Sequence, residues 1–250
     1  PVAERSQLLR VWRDDLTAAL DGSRFGHALF PALADMVNRC GVPHEHLFAV
    51  LDGIEMDLDP KGFETFDELS QYCYRVAGAV GLCCIHVWGF HDERAIDRAI
   101  DCGLAFQLTN ILRDLGEDAA MGRTYLPRED LRRFGYSAED IAAQQYNEQF
   151  VELMQFEAER ARSYFRRAEE LHGYLEPAGK PIFQAMLQIY GGLLDAIERR
   201  NYDVYSSRVS LPRWRKLLIS FDAIVRQRWL KGRSQGSDVR DQKSEISGDV

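Results

Sequence analysis

The segment NILRDLGED, residues 110–118, places an asparagine and two aspartates at intervals of four residues. On a helix, Asn110, Asp114 and Asp118 share one face, because side chains at i and i+4 lie above one another. Carboxylate and amide oxygens are hard ligands, and Mg²⁺ takes few of them while sharing the oxygens of a bound phosphate. The row is a candidate metal site for a diphosphate, although two aspartates at this spacing more often mark a solvated helix edge.

Basic and apolar residues flank this row. Arg113 lies inside it, and Arg123 and Tyr125 follow in GRTYLP. A guanidinium forms paired hydrogen bonds with phosphate oxygens, and the preceding segment GLAFQL supplies an apolar wall. Metal ligands, arginines and an apolar wall together indicate a site for a prenyl diphosphate. The alternative for Arg113 is a salt bridge with Glu117, four residues further on.

A second segment, YCYRVAGAVG at residues 72–81, combines tyrosines with small residues at helical spacing. Glycine inside a helix costs about 1 kcal/mol relative to alanine, so Gly78 and Gly81 need a reason. Close packing of two helices is one reason, and room for an alkyl chain beside Ala77 is the other. Tyr72 offers a ring face, which stabilises a cation.

These residues are predicted to lie on helices. Apolar residues recur at intervals of three and four, which predicts helices in eight segments: residues 8–20, 27–40, 46–58, 66–90, 94–118, 148–175, 180–202 and 211–230. Thr65 or Asp67 is placed to cap the helix predicted over Leu69–Phe90. The pattern shows no alternating strand, internal repeat or domain linker.

Residues 69–116 and 178–198 are apolar over most of the helix circumference, which predicts that they form the buried centre of a bundle. The sequence therefore predicts a single all-α domain over residues 1–230. Residues 231–250 are polar and almost without large apolar side chains, which predicts a disordered tail.

Composition excludes several classes of function. The net charge of −8 argues against a nucleic-acid partner, which needs a basic face. The five cysteines form no CxxC pair and are expected to be reduced, as in a cytosolic protein. The longest apolar run, Val76–Phe90, is shorter than the roughly 20 residues of a transmembrane helix, so no transmembrane segment is predicted.

The two segments YCYRVAGAVG and GLAFQLTNILRDLGEDAAMGRTYLP resemble the signature segments of the squalene/phytoene synthase family. The resemblance runs from about residue 5 to residue 229 and includes IYGGLLDAIERRNYDVYSSRV. It implies an all-α isoprenoid-synthase helical bundle around a central apolar cavity. In this family two prenyl diphosphates, farnesyl or geranylgeranyl, are joined head to head with Mg²⁺.

The resemblance also assigns roles to residues. Asp114 and Asp118 match the second aspartate-rich motif, which binds Mg²⁺, and Asn110 lies beside them as a further ligand. Tyr72 matches a tyrosine near the reacting carbon, and Arg113 follows the family's ILRD pattern. Together with the arguments above, the substrate-binding positions are Val76, Ala77, Gly81, Gln107, Asn110, Arg123, Tyr125, Tyr190 and Arg208.

The family's first aspartate-rich motif has no counterpart in this sequence. Asp14–Asp15 and the acidic residues of segment 55–59 have a different context, and by length the motif is expected just before Pro1. A chain without the motif has half of the metal site. An inactive family member that acts as an assembly scaffold is therefore the alternative function. A terpene cyclase would share the diphosphate chemistry but is not expected to carry YCYRVAGAVG.

The resemblance leaves the product open among presqualene diphosphate or squalene, dehydrosqualene and phytoene. The DLGED wording and the lack of a C-terminal membrane helix indicate a bacterial type. A fifteen-carbon substrate is slightly favoured. NADPH is needed only if the product is squalene, and no GxGxxG occurs. We expect a cytoplasmic protein that touches a membrane surface to release its product.

Overall fold

The computed structural model describes residues 2–24 and 26–227, and its regular elements there are helices. The α-helices are α1 Val2–Leu20, α2 Phe30–Cys40, α3 His44–Met56, α4 Phe66–Cys73, α5 Ala79–Trp88, α6 Arg94–Ala120, α7 Arg128–Arg133, α8 Ala138–Ala142, α9 Glu148–Ala168, α10 Leu171–Tyr174 and α11 Lys180–Arg199. A π-helical turn, Tyr74–Gly78, joins α4 to α5. Residues 213–227 are also helical. The all-α prediction is confirmed, whereas the predicted disordered tail, 231–250, lies outside the described residues.

Helix α6 is the centre of the bundle. It packs against α9, α5 and the π-helical turn, and 14 of its 27 residues are buried. Helix α11 was predicted to be equally buried, but it packs through one face, while Gln184 and Gln188 on the other face are exposed. The prediction of a buried centre is therefore confirmed for the middle of α6 and wrong for α11, whose polar residues form a solvent-facing stripe.

The helix that carries the YCYRVAGAVG segment is interrupted. Thr65 is the cap, because its hydroxyl accepts a hydrogen bond from the backbone N–H of Glu68, and Asp67 lies inside the first turn. The pattern predicted an unbroken helix, but α4 passes into the π-helical turn at Tyr74. Glycines bring this turn close to its neighbours. A Cβ atom added at Gly103 of α6 would lie 2.5 Å from the Cα atom of Gly78.

All five cysteines are free thiols, and Cys73 and Cys102 are buried. Burial raises the pKa of the Cys83 thiol to about 11, which keeps it protonated. Within residues 2–24 and 26–227, no helix has the length and apolar character needed to cross a membrane.

A buried charge cluster joins α9 to α7. One guanidinium nitrogen of Arg160 lies 2.8 Å from a carboxylate oxygen of Glu157 and 2.7 Å from one of Asp130. The guanidinium also lies over the rings of Phe66 and Phe156, at 4.1 and 4.6 Å from their centroids. Burial, reinforced by the charge of Asp130, raises the pKa of Glu157 to about 8, despite the opposing effect of Arg160.

We expect Glu157→Gln to stabilise the protein increasingly as the pH rises. The folded pKa of Glu157, about 8, exceeds its unfolded value of about 4.3, so the native state binds the extra proton. The stabilisation from this protonation is complete below the unfolded pKa and is lost as pH rises through the folded pKa. Thermal melts from pH 5.5 to 9 should show the variant gaining on the order of 2 kcal/mol over wild type.

The matched control is Glu198→Gln, because Glu198 shares the guanidinium of Arg162 with Asp195 in a more exposed cluster. This control should show no comparable trend with pH. A Glu157→Gln difference that stays flat across the pH range would mean that Glu157 remains charged in the native state.

Candidate active site

The C-terminal half of α6 carries the predicted acidic row, which consists of Asn110, Asp114 and Asp118. Two arginines bind Asp114. The Nε atom of Arg113 donates to Oδ1 of Asp114 at 2.7 Å, and a second guanidinium nitrogen of Arg113 bonds Oδ2. Arg208, from the segment after α11, donates to the same Oδ1 at 3.1 Å. Asp114 therefore lies between two guanidinium groups, which places both arginines where a phosphate would meet the acidic row.

The salt bridge considered for Arg113 with Glu117 is not formed. Arg113 instead pairs with its chain neighbour Asp114, and Glu117 lies 3.6 Å from Nε of Arg208. Arg208, from the segment after α11, packs against α6 and neutralises Glu117. Glu117 therefore has a partner other than Arg113. The helical spacing alone could not show that contact.

Asp118, one turn further along α6, lies in a region of excess negative charge. Burial raises the pKa of its carboxyl group to about 6, and the nearby charge of Asp114 adds to the shift while Arg123 opposes it. Such a carboxylate is stabilised by a cation, so the residues present fit a divalent metal. In the described part of the chain, no group of three His, Cys, Asp or Glu residues forms a metal site by itself. A metal here would need Asn110, phosphate oxygens or water as further ligands.

An apolar trench of about 220 Å³ lies beside the row. It brings together six of the predicted substrate-binding positions: Val76, Ala77, Gly81, Gln107, Asn110 and Tyr190. The amide of Asn110 lies 3.5 Å from the side-chain oxygen of Gln107. The ring of Tyr190 stacks on that of Phe106, with centroids 4.1 Å apart and an interplanar angle of 11°. These contacts give the trench one polar end and a stiff aromatic wall.

Gly81 lines the trench and also lies where two helices pack together. A Cβ atom added there would come 3.2 Å from the backbone oxygen of Ala99 on α6. Both reasons considered for this glycine therefore apply, because Gly81 lines the trench and α5 and α6 approach closely there. Ala77 already carries a Cβ atom and lines the trench, so it is the better probe of trench size.

Tyr72, Arg123 and Tyr125 line a second cavity, of about 600 Å³. The tyrosine rings are stacked, with centroids 5.4 Å apart. Burial raises the pKa of both phenols, so they are neutral at physiological pH. The hydroxyl of Tyr72 donates to Oδ1 of Asp57 at 2.8 Å, and that of Tyr125 donates to the same atom at 3.2 Å.

Sequence reasoning missed Asp57, because segment 55–59 was compared only with the first aspartate-rich motif. A usable signal was present in the sequence. Asp57 follows the last residue of α3, where a carboxylate opposes the helix macrodipole. The signal is not specific, because Glu169 occupies the same position at the end of α9.

A third cavity, of about 430 Å³, is basic. Arg113, Arg208 and Lys216 line it together with Tyr190, which also lines the trench. Sequence reasoning missed Lys216. The predicted substrate-binding residues thus line an apolar trench, an aromatic cavity and a basic pocket, and Arg208 also lines a further cavity, of about 610 Å³. This arrangement can hold an apolar chain and an anionic head group at neighbouring places.

Comparison with known proteins shows which family this chain is similar to. Residues 1–215 match the family model described as squalene/phytoene synthase. The chain is 38% identical to a phytoene synthase from Arthrospira platensis over 237 residues, which cover 87% of this chain and 75% of that protein. It is 39% identical to a 15-cis-phytoene synthase from Synechococcus elongatus over 199 residues, which cover 74% of this chain and 64% of that protein.

Solved structures show the same fold. The crystal structure of a dehydrosqualene synthase in complex with ligand superimposes with a TM-score of 0.78 and 28% identity, over 90% of this chain and 78% of the other. The squalene synthase HpnC from Alicyclobacillus acidocaldarius superimposes with a TM-score of 0.75 and 25% identity, over 79% of this chain and 75% of the other. The isoprenoid-synthase architecture implied by the signature segments is confirmed.

Proposed function

Since the chain belongs to the squalene/phytoene synthase family, a family of prenyltransferases, we propose that it joins two geranylgeranyl diphosphates head to head to form phytoene. The relatives named as phytoene synthases support this product. They favour a twenty-carbon substrate over the fifteen-carbon one that the sequence slightly favoured. They give no support to the scaffold alternative. The observation that carries the proposal is the acidic row of α6, bordered by the apolar trench and by the basic pocket.

The acidic row and the basic pocket would hold the diphosphate. We propose that Asp114, Asp118 and Asn110 bind Mg²⁺, which when bound neutralises the diphosphate and makes it a better leaving group. Arg113 and Arg208, which contact Asp114 in the structure, would also bind phosphate oxygens, and Lys216 lines the same pocket. Guanidinium groups suit this role because two N–H groups bind one phosphate in parallel.

The aromatic cavity and the trench would control the carbon skeleton. Loss of pyrophosphate from one substrate leaves an allylic cation, which the double bond of the second substrate attacks. Loss of a proton then closes a cyclopropyl diphosphate. Loss of the second pyrophosphate, rearrangement of the resulting cation and loss of another proton would give phytoene. The neutral rings of Tyr72 and Tyr125 stabilise positive charge through their faces. The trench orients the prenyl tail and excludes water, which would otherwise capture the cation. Formation of phytoene requires no hydride, so we propose no role for NADPH.

Product identification tests this proposal. The full chain would be incubated with farnesyl or geranylgeranyl diphosphate and Mg²⁺, with and without NADPH, and the products identified by mass spectrometry. We expect phytoene from the twenty-carbon substrate, no effect of NADPH, and loss of product when a chelator removes the metal. Squalene or dehydrosqualene as the main product would contradict the choice of substrate.

We also propose that the protein meets a membrane surface, because its product is a hydrocarbon. The helical residues 213–227 expose a stripe of large apolar side chains: Trp214, Leu217, Leu218, Phe221, Ile224 and Val225. Arg213 on the same helix is exposed and basic, which suits an anionic lipid surface.

We expect the protein to cosediment with anionic vesicles, and Leu217→Ser with Phe221→Ser to reduce the bound fraction several-fold. The reason is the loss of apolar area that enters the lipid interface. Val87→Ser, which alters an exposed apolar residue on α5, is the control. Equal binding by the double variant and the wild type would contradict a membrane role for this helix.

A further inference from the structure

Asp57 joins three separate parts of the fold at one atom. It follows the end of α3, while Tyr72 lies on α4 and Tyr125 lies in the segment before α7. Both phenol hydroxyls donate to the same oxygen, Oδ1, at 2.8 and 3.2 Å. An acceptor shared by two donors fixes the separation of the two hydroxyl groups as well as the direction of each O–H bond.

The hydrogen bonds extend an aromatic wall. The ring of Phe63 lies 5.3 Å from that of Tyr72 and 6.3 Å from that of Tyr125, measured between centroids. Aromatic pairs of this kind contribute only about 0.5–1.5 kcal/mol each beyond the area they bury, so by themselves they restrain the rings weakly. The hydrogen bonds to Asp57 remove this remaining freedom at the hydroxyl end of each tyrosine.

The position of Asp57 is unfavourable for helix stability. A negative charge at a helix C-terminus opposes the macrodipole, at a cost of about 0.3–1 kcal/mol. An ionised carboxylate only accepts hydrogen bonds, so the side chain of Asp57 cannot cap the unpaired carbonyl groups at the end of α3. A residue that breaks a local rule in this way is expected where function, not folding, determines its identity.

We propose that Asp57 is a positioning residue, which holds the Tyr72 and Tyr125 hydroxyls together so that the Tyr72 ring keeps one orientation in the aromatic cavity. This inference rests on the proposed function, in which the Tyr72 ring faces the developing cation. Asp57 lines the cavity as well, but in this proposal it acts through the two tyrosines. Because its hydrogen bonds are complete before substrate binds, the wall needs no rearrangement during the reaction.

The test compares Asp57→Ala, Asp57→Asn and the variant Glu45→Gln, at an exposed position on α3, in the full chain, with steady-state kinetics and melting. We expect Asp57→Ala to lower kcat by about 10- to 100-fold, the effect of slight misplacement in a site, with little change in KM. Its melting temperature should fall, because two buried phenol hydroxyls lose their acceptor. Asp57→Asn keeps an acceptor oxygen and should restore most of the lost kcat and of the melting temperature. Glu45→Gln should behave as wild type.

Two results would overturn the inference. One is wild-type kcat in Asp57→Ala. The other is an equal loss in Asp57→Ala and Asp57→Asn with lower melting temperatures in both, which would indicate a structural role.

A readout independent of turnover separates this inference from the proposed function. In protein carrying ¹³C-labelled tyrosine, the ring resonance of Tyr72, assigned with Tyr72→Phe, should shift or broaden in Asp57→Ala. An unchanged resonance would overturn the inference even if the wild type proved inactive with prenyl diphosphates. Wild-type inactivity with a shifted resonance would count against the proposed function alone.

Discussion

Asp114→Asn and Asp118→Asn are each expected to lower kcat by about 10³-fold, the upper range for removal of one electrostatic group from an active site. Each change removes a negative charge from the proposed metal site while retaining side-chain size. The fold should remain intact, because both residues lie near the end of α6 and neither belongs to its hydrophobic core. Steady-state assays with geranylgeranyl diphosphate and Mg²⁺, together with circular dichroism, would measure both effects.

The two variants should differ in stability. The folded pKa of Asp118, about 6, lies above its unfolded value of about 3.9, so ionisation of this group at pH 8 opposes folding. Asp118→Asn should therefore melt at or above the wild-type temperature at pH 8. Asp114→Asn loses its charge-assisted bonds with Arg113 and Arg208 and should melt slightly lower.

The control for this pair is Asp97→Asn, the same chemical change at an exposed position on the same helix. It should leave kcat unchanged. Adding Mg²⁺ with an unreactive diphosphate analogue should raise the melting temperature of wild type and of Asp97→Asn but not of the two site variants. Wild-type turnover in either site variant would remove that aspartate from the proposed metal site.

Ala77→Leu is expected to change substrate preference before it harms folding. The added carbons would enter the trench of about 220 Å³ and shorten the space for a prenyl tail. We expect turnover of geranylgeranyl diphosphate to fall at least about 10-fold relative to farnesyl diphosphate, a difference of roughly 1.4 kcal/mol in transition-state binding. Competition between the two substrates, with products identified by mass spectrometry, would measure the ratio.

Two glycine variants serve as controls for close packing. Gly103→Ala places a Cβ atom 2.5 Å from the Cα atom of Gly78, so it should lower stability by about 1–3 kcal/mol or more. Gly103 also lines the trench, but its added Cβ atom would point at the backbone of the π-helical turn, so the relative preference for the two substrates should change less than in Ala77→Leu. Gly81→Ala would place a Cβ atom 3.2 Å from the backbone of Ala99. It should lower stability by less than Gly103→Ala and change the substrate preference by less than Ala77→Leu. A sharply lower melting temperature in Ala77→Leu with unchanged preference would show that Ala77 belongs to a seam.

Much of the fold could be predicted from the sequence, because it depends on local patterns. The periodicity of three and four in residues 94–118 predicted α6, and the row of Asn110, Asp114 and Asp118 follows from helix geometry alone. Thr65 was one of two predicted caps because a hydroxyl before an apolar periodic segment has a local function. The short helices α7 and α8 were not predicted, since neither is long enough to show a period.

The features that the sequence did not reveal depend on contacts between distant residues. The π-helical turn has no period of its own, and it coincides with the close approach of Gly103 to Gly78. Arg113 pairs with Asp114 and not with Glu117, because Arg208 packs against this part of α6 and pairs with Glu117. Likewise, the two hydrogen bonds of Asp57 join α3 to residues 15 and 68 positions away in the chain. Such pairings require the assembled bundle.

Head-to-head condensation is tested most directly by asking whether one product molecule contains two substrate molecules. The full chain would be incubated with Mg²⁺ and an equal mixture of unlabelled geranylgeranyl diphosphate and the same compound carrying a deuterated tail. Head-to-head condensation predicts a forty-carbon hydrocarbon in light, mixed and heavy forms, with the mixed form the most abundant. Light and heavy products without a mixed form would contradict the account, because they would show chemistry on a single prenyl diphosphate, as in a terpene cyclase.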